Sequence, residues 1–101
     1  MVENATLTEM PSDELLEQRI DRYLDEHWED IVADIDKLVR IPSFEDLGEA
    51  AEGAPYGPGP RKALDVALSM ASDMGFEAHD DAGHVGYADL VGASEEQLGI
   101  I

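Results

Sequence analysis

Histidines, serines and paired carboxylates are the side chains through which this sequence could do chemistry, and their spacing decides which reactions are open. His79 is followed directly by Asp80 and Asp81, and His84 lies five positions after His79, a grouping of imidazole and carboxylate donors that invites a metal reading. Zinc needs three or four such donors brought to about 2.0–2.3 Å. Neighbouring residues of a strand point to opposite faces, so at most one of Asp80 and Asp81 can join His79. The spacing therefore predicts hydrated residues flanking a hairpin turn, and no metal ligand is assigned. His27, beside Trp28 in a long helical pattern, reads as a surface or partly buried side chain. Glu26 and Asp30, or His27 and Asp30, share helical faces. Ten acids fall between Ser12 and Arg40, so such pairs arise by chance and are weak as catalytic carboxylates.

The serines fare no better. Ser12, Ser43, Ser69, Ser72 and Ser94 all lack a G-x-S-x-G setting, and there is neither a G-x-G-x-x-G turn nor a phosphate-loop lysine. Gly57-Pro58-Gly59-Pro60 leads into a helical pattern and could offer amides to an anion, but Pro58 and Pro60 remove two of those donors. The loop reads as a geometric device. No catalytic residue is assigned.

Composition narrows the choice further. The chain has 101 residues, 24 acidic and 6 basic side chains, a formal net charge of −18 and no cysteine. That is room for one small domain at most. Without cysteine there is no disulfide scaffold, thiolate zinc knuckle, iron–sulfur site or cysteine nucleophile, and a reducing, cytoplasmic home fits. No apolar run approaches a membrane span, and residues 1–11 lack the basic-then-apolar order of a secretory signal. The negative field repels phosphate backbones and anionic lipid, so nucleic acid and membrane are not expected partners. A densely hydrated acidic surface accounts for the charge, and 44% hydrophobic content is ordinary for a folded chain.

The elements that would position any site follow from periodicity. Residues 1–11 show no period, end in Pro11 and are expected to form a mobile arm. Ser12 can cap a helix, with Asp13 and Glu14 suiting its dipole. Apolar residues then recur at Leu16, Ile20, Leu24, Trp28, Ile31, Ile35 and Leu38, one stripe on a helix reaching about Arg40 and requiring a partner surface. Pro42 ends it. Residues 43–59 form an acidic, then Gly/Pro-rich loop with its backbone held close to something. Pro60 opens a second helix with a face of Ala63, Leu64, Val66, Ala67, Met70, Ala71 and Met74, stopped by Gly75. Strands are expected over 76–80 and 84–91 around an Asp81-Ala82-Gly83 turn, with a third strand fragment at Leu98 to Ile101. That fragment would leave an apolar edge unpaired, so the chain alone should be marginal and prone to aggregate.

Several of these segments resemble the N-terminal part of PepV-like dipeptidases, in the wider family of cocatalytic zinc peptidases that includes aminoacylases, carnosinases and glutamate carboxypeptidases. The likeness runs through Leu38-Val39-Arg40-Ile41-Pro42-Ser43, Pro55-Tyr56-Gly57-Pro58-Gly59-Pro60, Ala63-Leu64-Asp65, Met74-Gly75-Phe76, Ala82-Gly83-His84-Val85-Gly86-Tyr87 and Leu98-Gly99-Ile100-Ile101, covering about Ile31 to Ile101. In that family a strand like the last of these runs into a G-H-x-D-V-V-P segment. That segment carries the first zinc-ligand histidine and a neighbouring aspartate; the bridging aspartate, the general-base glutamate and the other ligands come later still. No residue here matches any of them. His84 follows a glycine but belongs to the preceding strand and is not a ligand.

The resemblance implies an α/β chain: two N-terminal helices followed by the first strands of a mixed sheet, an incomplete zinc-peptidase catalytic domain over residues 12–101. The parent would use two zinc ions to acidify a bridging water and polarise the scissile carbonyl of a short peptide. This segment would bind no zinc, would be inactive alone, and would have the rest of the catalytic domain as partner. Tyr56, Gly57 and Gly59 are expected to border the substrate cleft. The alternative from another class is a small acidic protein-interaction module whose apolar stripe docks a partner. A nucleic-acid mimic would rest on charge alone.

Overall fold

A computed structural model describes residues 12–100; the expected arm over residues 1–11 and the last residue of the expected third strand lie outside them. The described chain runs helix α1 (Ser12–Val39), a 3-10 turn (Leu47–Glu49), helix α2 (Pro58–Asp73) and strands β1 (Glu77–Asp81) and β2 (Val85–Asp89). This is the expected α/β order of two helices followed by strands, and it suits an incomplete domain. The described residues divide into two units, one ending at Asp36 and the other starting at Lys37.

Helix α1, most of which makes up the first unit, has Asp13 and Glu14 in its first turn, where negative charge favours the dipole, and Lys37 in its last. Its apolar stripe is open to solvent: Leu16, Ile20, Tyr23, Val32 and Ile35 are all exposed, as is Trp28 at 60%. Within it the His27 ring stacks on Tyr23 with centroids 4.0 Å apart. His27 Nδ1–H donates to the Tyr23 carbonyl at 2.9 Å, since a carbonyl can only accept. His27 is thus part of the helix surface, as its setting predicted.

The second unit is built around α2 and the hairpin. Helix α2 starts at Pro58, two residues before the expected Pro60. The first turn of a helix leaves its N–H groups without intrahelical partners, so both prolines fit there at little cost. The far end closes on Gly75 with φ 97°, where Gly75 N–H donates to Ser72 O at 3.0 Å and Phe76 N–H to Ala71 O at 3.0 Å. These two bonds make a Schellman motif, for which glycine is the low-strain residue. The chain then enters β1, which pairs antiparallel with β2 in a two-stranded sheet, Glu77 facing Asp89, His79 facing Tyr87 and Asp81 facing Val85.

Helix α2 packs across one face of this hairpin. The two come close at Gly86, where a β-carbon would stand 2.6 Å from Leu64 Cδ1 and 2.9 Å from Leu68 Cδ2. Alternation then places Asp80 and Gly86 under the helix, and Glu77, His79, Tyr87 and Asp89 on the opposite face.

The third strand is not formed: Leu98 to Ile100 carry no strand pairing, and Leu98 and Ile100 are 90% and 92% exposed. A strand needs a neighbour to hold its backbone groups, and Leu98 to Ile100 pair with neither edge of the two-stranded sheet. Burial is sparse. Among the described residues Ile41, at 9% exposure, is the one buried hydrophobic side chain, joined by the backbones of Gly57 and Gly83.

Candidate functional site

Chemistry-bearing residues of the second unit gather in three places: a clasp between the Gly/Pro loop and the hairpin turn, a cleft beside the start of α2, and the outer face of the hairpin. The clasp begins with the loop folding on itself. Ala51 and Ala54 exchange backbone hydrogen bonds of 3.1 and 2.9 Å, and Asp46 N–H donates to Tyr56 O at 2.8 Å. The turn of the hairpin sets Ala82 and Gly83 at φ 54° and 77°, the positive-φ pair of a type I′ turn, closed by His84 N–H on Asp81 O at 3.0 Å.

Loop and turn meet at glycine. A β-carbon at Gly83 would stand 2.1 Å from Gly53 O, so nothing larger than hydrogen fits between the two backbones. Here is the surface that the Gly/Pro-rich composition anticipated. Beside it, Tyr56 hydroxyl and His84 Nδ1 are hydrogen-bond partners at 3.2 Å, their rings edge to face with centroids 5.6 Å apart. His84 is a turn residue engaged with the loop.

Arg61 ties the clasp to α2. Its Nη1–H donates to Gly53 O at 3.0 Å, its Nε–H to Asp65 Oδ1 at 3.1 Å, and its Nη2 pairs with both Asp65 and Asp80, the latter at 2.7 Å. Asp80 Oδ1 in turn accepts Gly83 N–H at 2.9 Å. The side-chain hydrogen bond from Arg61, reinforced by the Gly83 amide, lowers the Asp80 pKa below the ordinary carboxylate value, while Asp65 and then Asp80 raise that of Arg61. Sequence reasoning missed this group. The i,i+4 spacing of Arg61 and Asp65 could have flagged it, but the Asp80 partner comes from a distant strand.

The cleft has a volume of about 310 Å³ and is lined by Ile41, Pro42, Phe44, Asp46, Pro58, Gly59 and Lys62. Its walls are apolar, with one carboxylate and one ammonium able to fix the ends of a polar ligand. Gly59 lies against its floor: a β-carbon there would stand 2.1 Å from Pro42 O. Of the three residues expected to border a substrate cleft, Gly59 lines this one. Gly57 caps the helix, where a β-carbon would stand 2.8 Å from Asp46 O, and Tyr56 is directed to His84.

On the outer face of the hairpin, Glu77, His79 and Asp89 bring three donor atoms within 4.8 Å of one another. The donors accompanying His79 are Glu77, two residues away on the same face, and Asp89 from across the ladder, not Asp80 or Asp81. His79 Nε2 is 3.4 Å from Asp89 Oδ2, and the His79 ring stacks on Tyr87 with centroids 4.8 Å apart. The residues that the structure describes do not suit a pair of zinc ions: three donors can ligate one ion, and two ions joined by a bridging carboxylate require a larger set. Among the described residues no helix is long and apolar enough to cross a membrane.

Comparison with known proteins follows the same direction as the sequence motifs. No family model matches the chain. Over 84 residues, 83% of its length, it is 37% identical to each of three proteins named "Putative dipeptidase" from Staphylococcus aureus strains USA300, NCTC 8325 and COL. The chain spans 17% of the length of these curated relatives, so the matched stretch is dipeptidase-like while most of each relative has no counterpart here.

Proposed function

We propose that this chain is the N-terminal segment of a dinuclear zinc dipeptidase that hydrolyses short peptides in the cytoplasm, and that the 101 residues alone are inactive. The observation that carries the reading is the 37% identity to dipeptidases over 84 residues, a match covering 17% of those proteins. The motifs between Leu38 and Ile101 that resemble PepV-like dipeptidases support it from the sequence side. The metal ligands and the general base belong to the part of the parent that follows the matched stretch.

In this reading the segment supplies scaffold. Its partner is the remainder of the catalytic domain, and the exposed stripe of α1 in the first unit and, separately, Leu98 and Ile100 in the second are apolar surfaces such a partner would cover. Tyr56, Gly57 and Gly59 are the residues assigned to the border of the substrate cleft; Gly59 lines the cleft beside α2, and the Arg61–Asp80 clasp holds the loop that carries them against the hairpin turn.

The experiment is an assay of the purified chain against a panel of dipeptides with excess zinc, beside a longer reading frame that continues into a G-H-x-D segment. Turnover by the longer protein and none by the 101 residues is the expected result. Zinc-dependent turnover by the short chain overturns the inactive-segment reading, and a reading frame that continues into unrelated sequence overturns the dipeptidase one.

The exposed α1 residues also favour a second reading, an acidic interaction module that docks a partner along the stripe from Leu16 to Leu38. A downstream sequence with no trace of the peptidase continuation would select it.

A further inference from the structure

The outer face of the hairpin carries a constellation that the dipeptidase reading does not use. Glu77 and His79 lie on one face of β1 because strand side chains alternate, and the register sets Asp89 directly opposite Glu77, diagonal to His79. The other face of the same strands is covered by Leu64 and Leu68 at Gly86, so the three donors project away from the helix.

Their distances suit one ion. Two ligands at about 2.0–2.1 Å from a tetrahedral zinc stand about 3.3–3.4 Å apart. His79 Nε2 and Asp89 Oδ2 are already 3.4 Å apart, so they could share an ion with almost no movement. Glu77, whose donor lies within 4.8 Å of both, reaches the same point by a change of rotamer. Stacking on Tyr87 limits the orientations of the His79 ring, and half of its surface remains open for an ion to enter.

We propose that Glu77, His79 and Asp89 bind a single Zn²⁺ ion, with solvent completing the coordination. A mixed imidazole and carboxylate set favours zinc over the hard cations magnesium and calcium, which take oxygen donors. The net charge of −18 raises the local concentration of any divalent cation. The sequence had set His79 aside because its immediate neighbours Asp80 and Asp81 could not both reach it; the second and third donors come from i−2 and from the partner strand.

The test is a titration of the full chain with zinc chloride, followed by calorimetry and by the NMR signals of the three imidazoles. One ion should bind per chain, with the His79 resonances moving and those of His27 and His84 staying in place. His79→Ala and the shape-preserving Asp89→Asn should each weaken binding by about tenfold or more, with far-ultraviolet circular dichroism confirming an unchanged fold. If His79→Ala disturbs the hairpin, Asp89→Asn and Glu77→Gln carry the comparison. Absence of saturable binding, equal response of His27 or His84, or affinity unchanged by these substitutions overturns the proposal.

Discussion

Arg61 and Asp80 meet at 2.7 Å between α2 and β1, and the same carboxylate accepts the Gly83 amide of the hairpin turn at 2.9 Å. One side chain thereby joins a helix, a loop carbonyl and a turn. Arg61 also holds Gly53 O, so removing its guanidinium releases the loop and the turn together. Arg61→Ala should lower the melting temperature and speed exchange of the Gly83 amide. Arg61→Lys should recover only part of the loss, because an ammonium cannot serve three acceptors in the planar fork geometry. Thermal denaturation and amide exchange on the two variants check this; full rescue by lysine would show that charge alone is at work.

Acid should loosen the same clasp. The folded protein lowers the Asp80 pKa, so its contribution to stability is fully present above the ordinary carboxylate value of about 3.9 and is lost as pH falls through the lowered value. Acid also relieves the repulsion among 24 carboxylates, which works in the opposite direction. The difference between the parent chain and Asp80→Asn isolates the clasp. That difference should shrink below about pH 4, as read from Gly83 amide exchange across a pH series.

Close backbone approaches rank the glycines. Gly59→Ala and Gly83→Ala each place a β-carbon 2.1 Å from a carbonyl oxygen, at Pro42 and Gly53, and backbone cannot move aside as a side chain can. Each should cost about 3 kcal/mol. Gly92→Ala, with nothing within 4 Å, should be close to neutral. Urea denaturation of the three variants gives the order directly.

Ala82 occupies φ 54°, a region where its β-carbon crowds the backbone. Ala82→Gly should stabilise the hairpin by about 0.5–1 kcal/mol, the strain relieved less the entropy that glycine adds to the unfolded chain. A lower melting temperature in that variant would mean that the strain is absorbed elsewhere.

Local regularities carried most of the fold. The α1 stripe, Pro42, the Gly75 stop and the turn around Ala82-Gly83 each act within a few residues, where backbone sterics and side-chain period decide the outcome. These features located both helices and the hairpin from the sequence alone, and the Gly/Pro composition announced a backbone packed closely against a neighbour. Leu98 to Ile100 do not form a strand because strand-like residues become a strand only when they pair with an edge, and they pair with neither edge of the hairpin.

The functional groupings were of that second kind. Arg61 finds Asp80 nineteen positions away, Tyr56 finds His84, and Asp89 joins His79 only through the register of β1 on β2. Composition established the charge and excluded cysteine chemistry, and residue order placed the turns. Which carboxylate stands beside which imidazole or guanidinium was decided by tertiary structure: a β1–β2 register one residue different would put Asp89 on the face opposite His79, and Arg61 reaches Asp80 only because α2 packs on the hairpin.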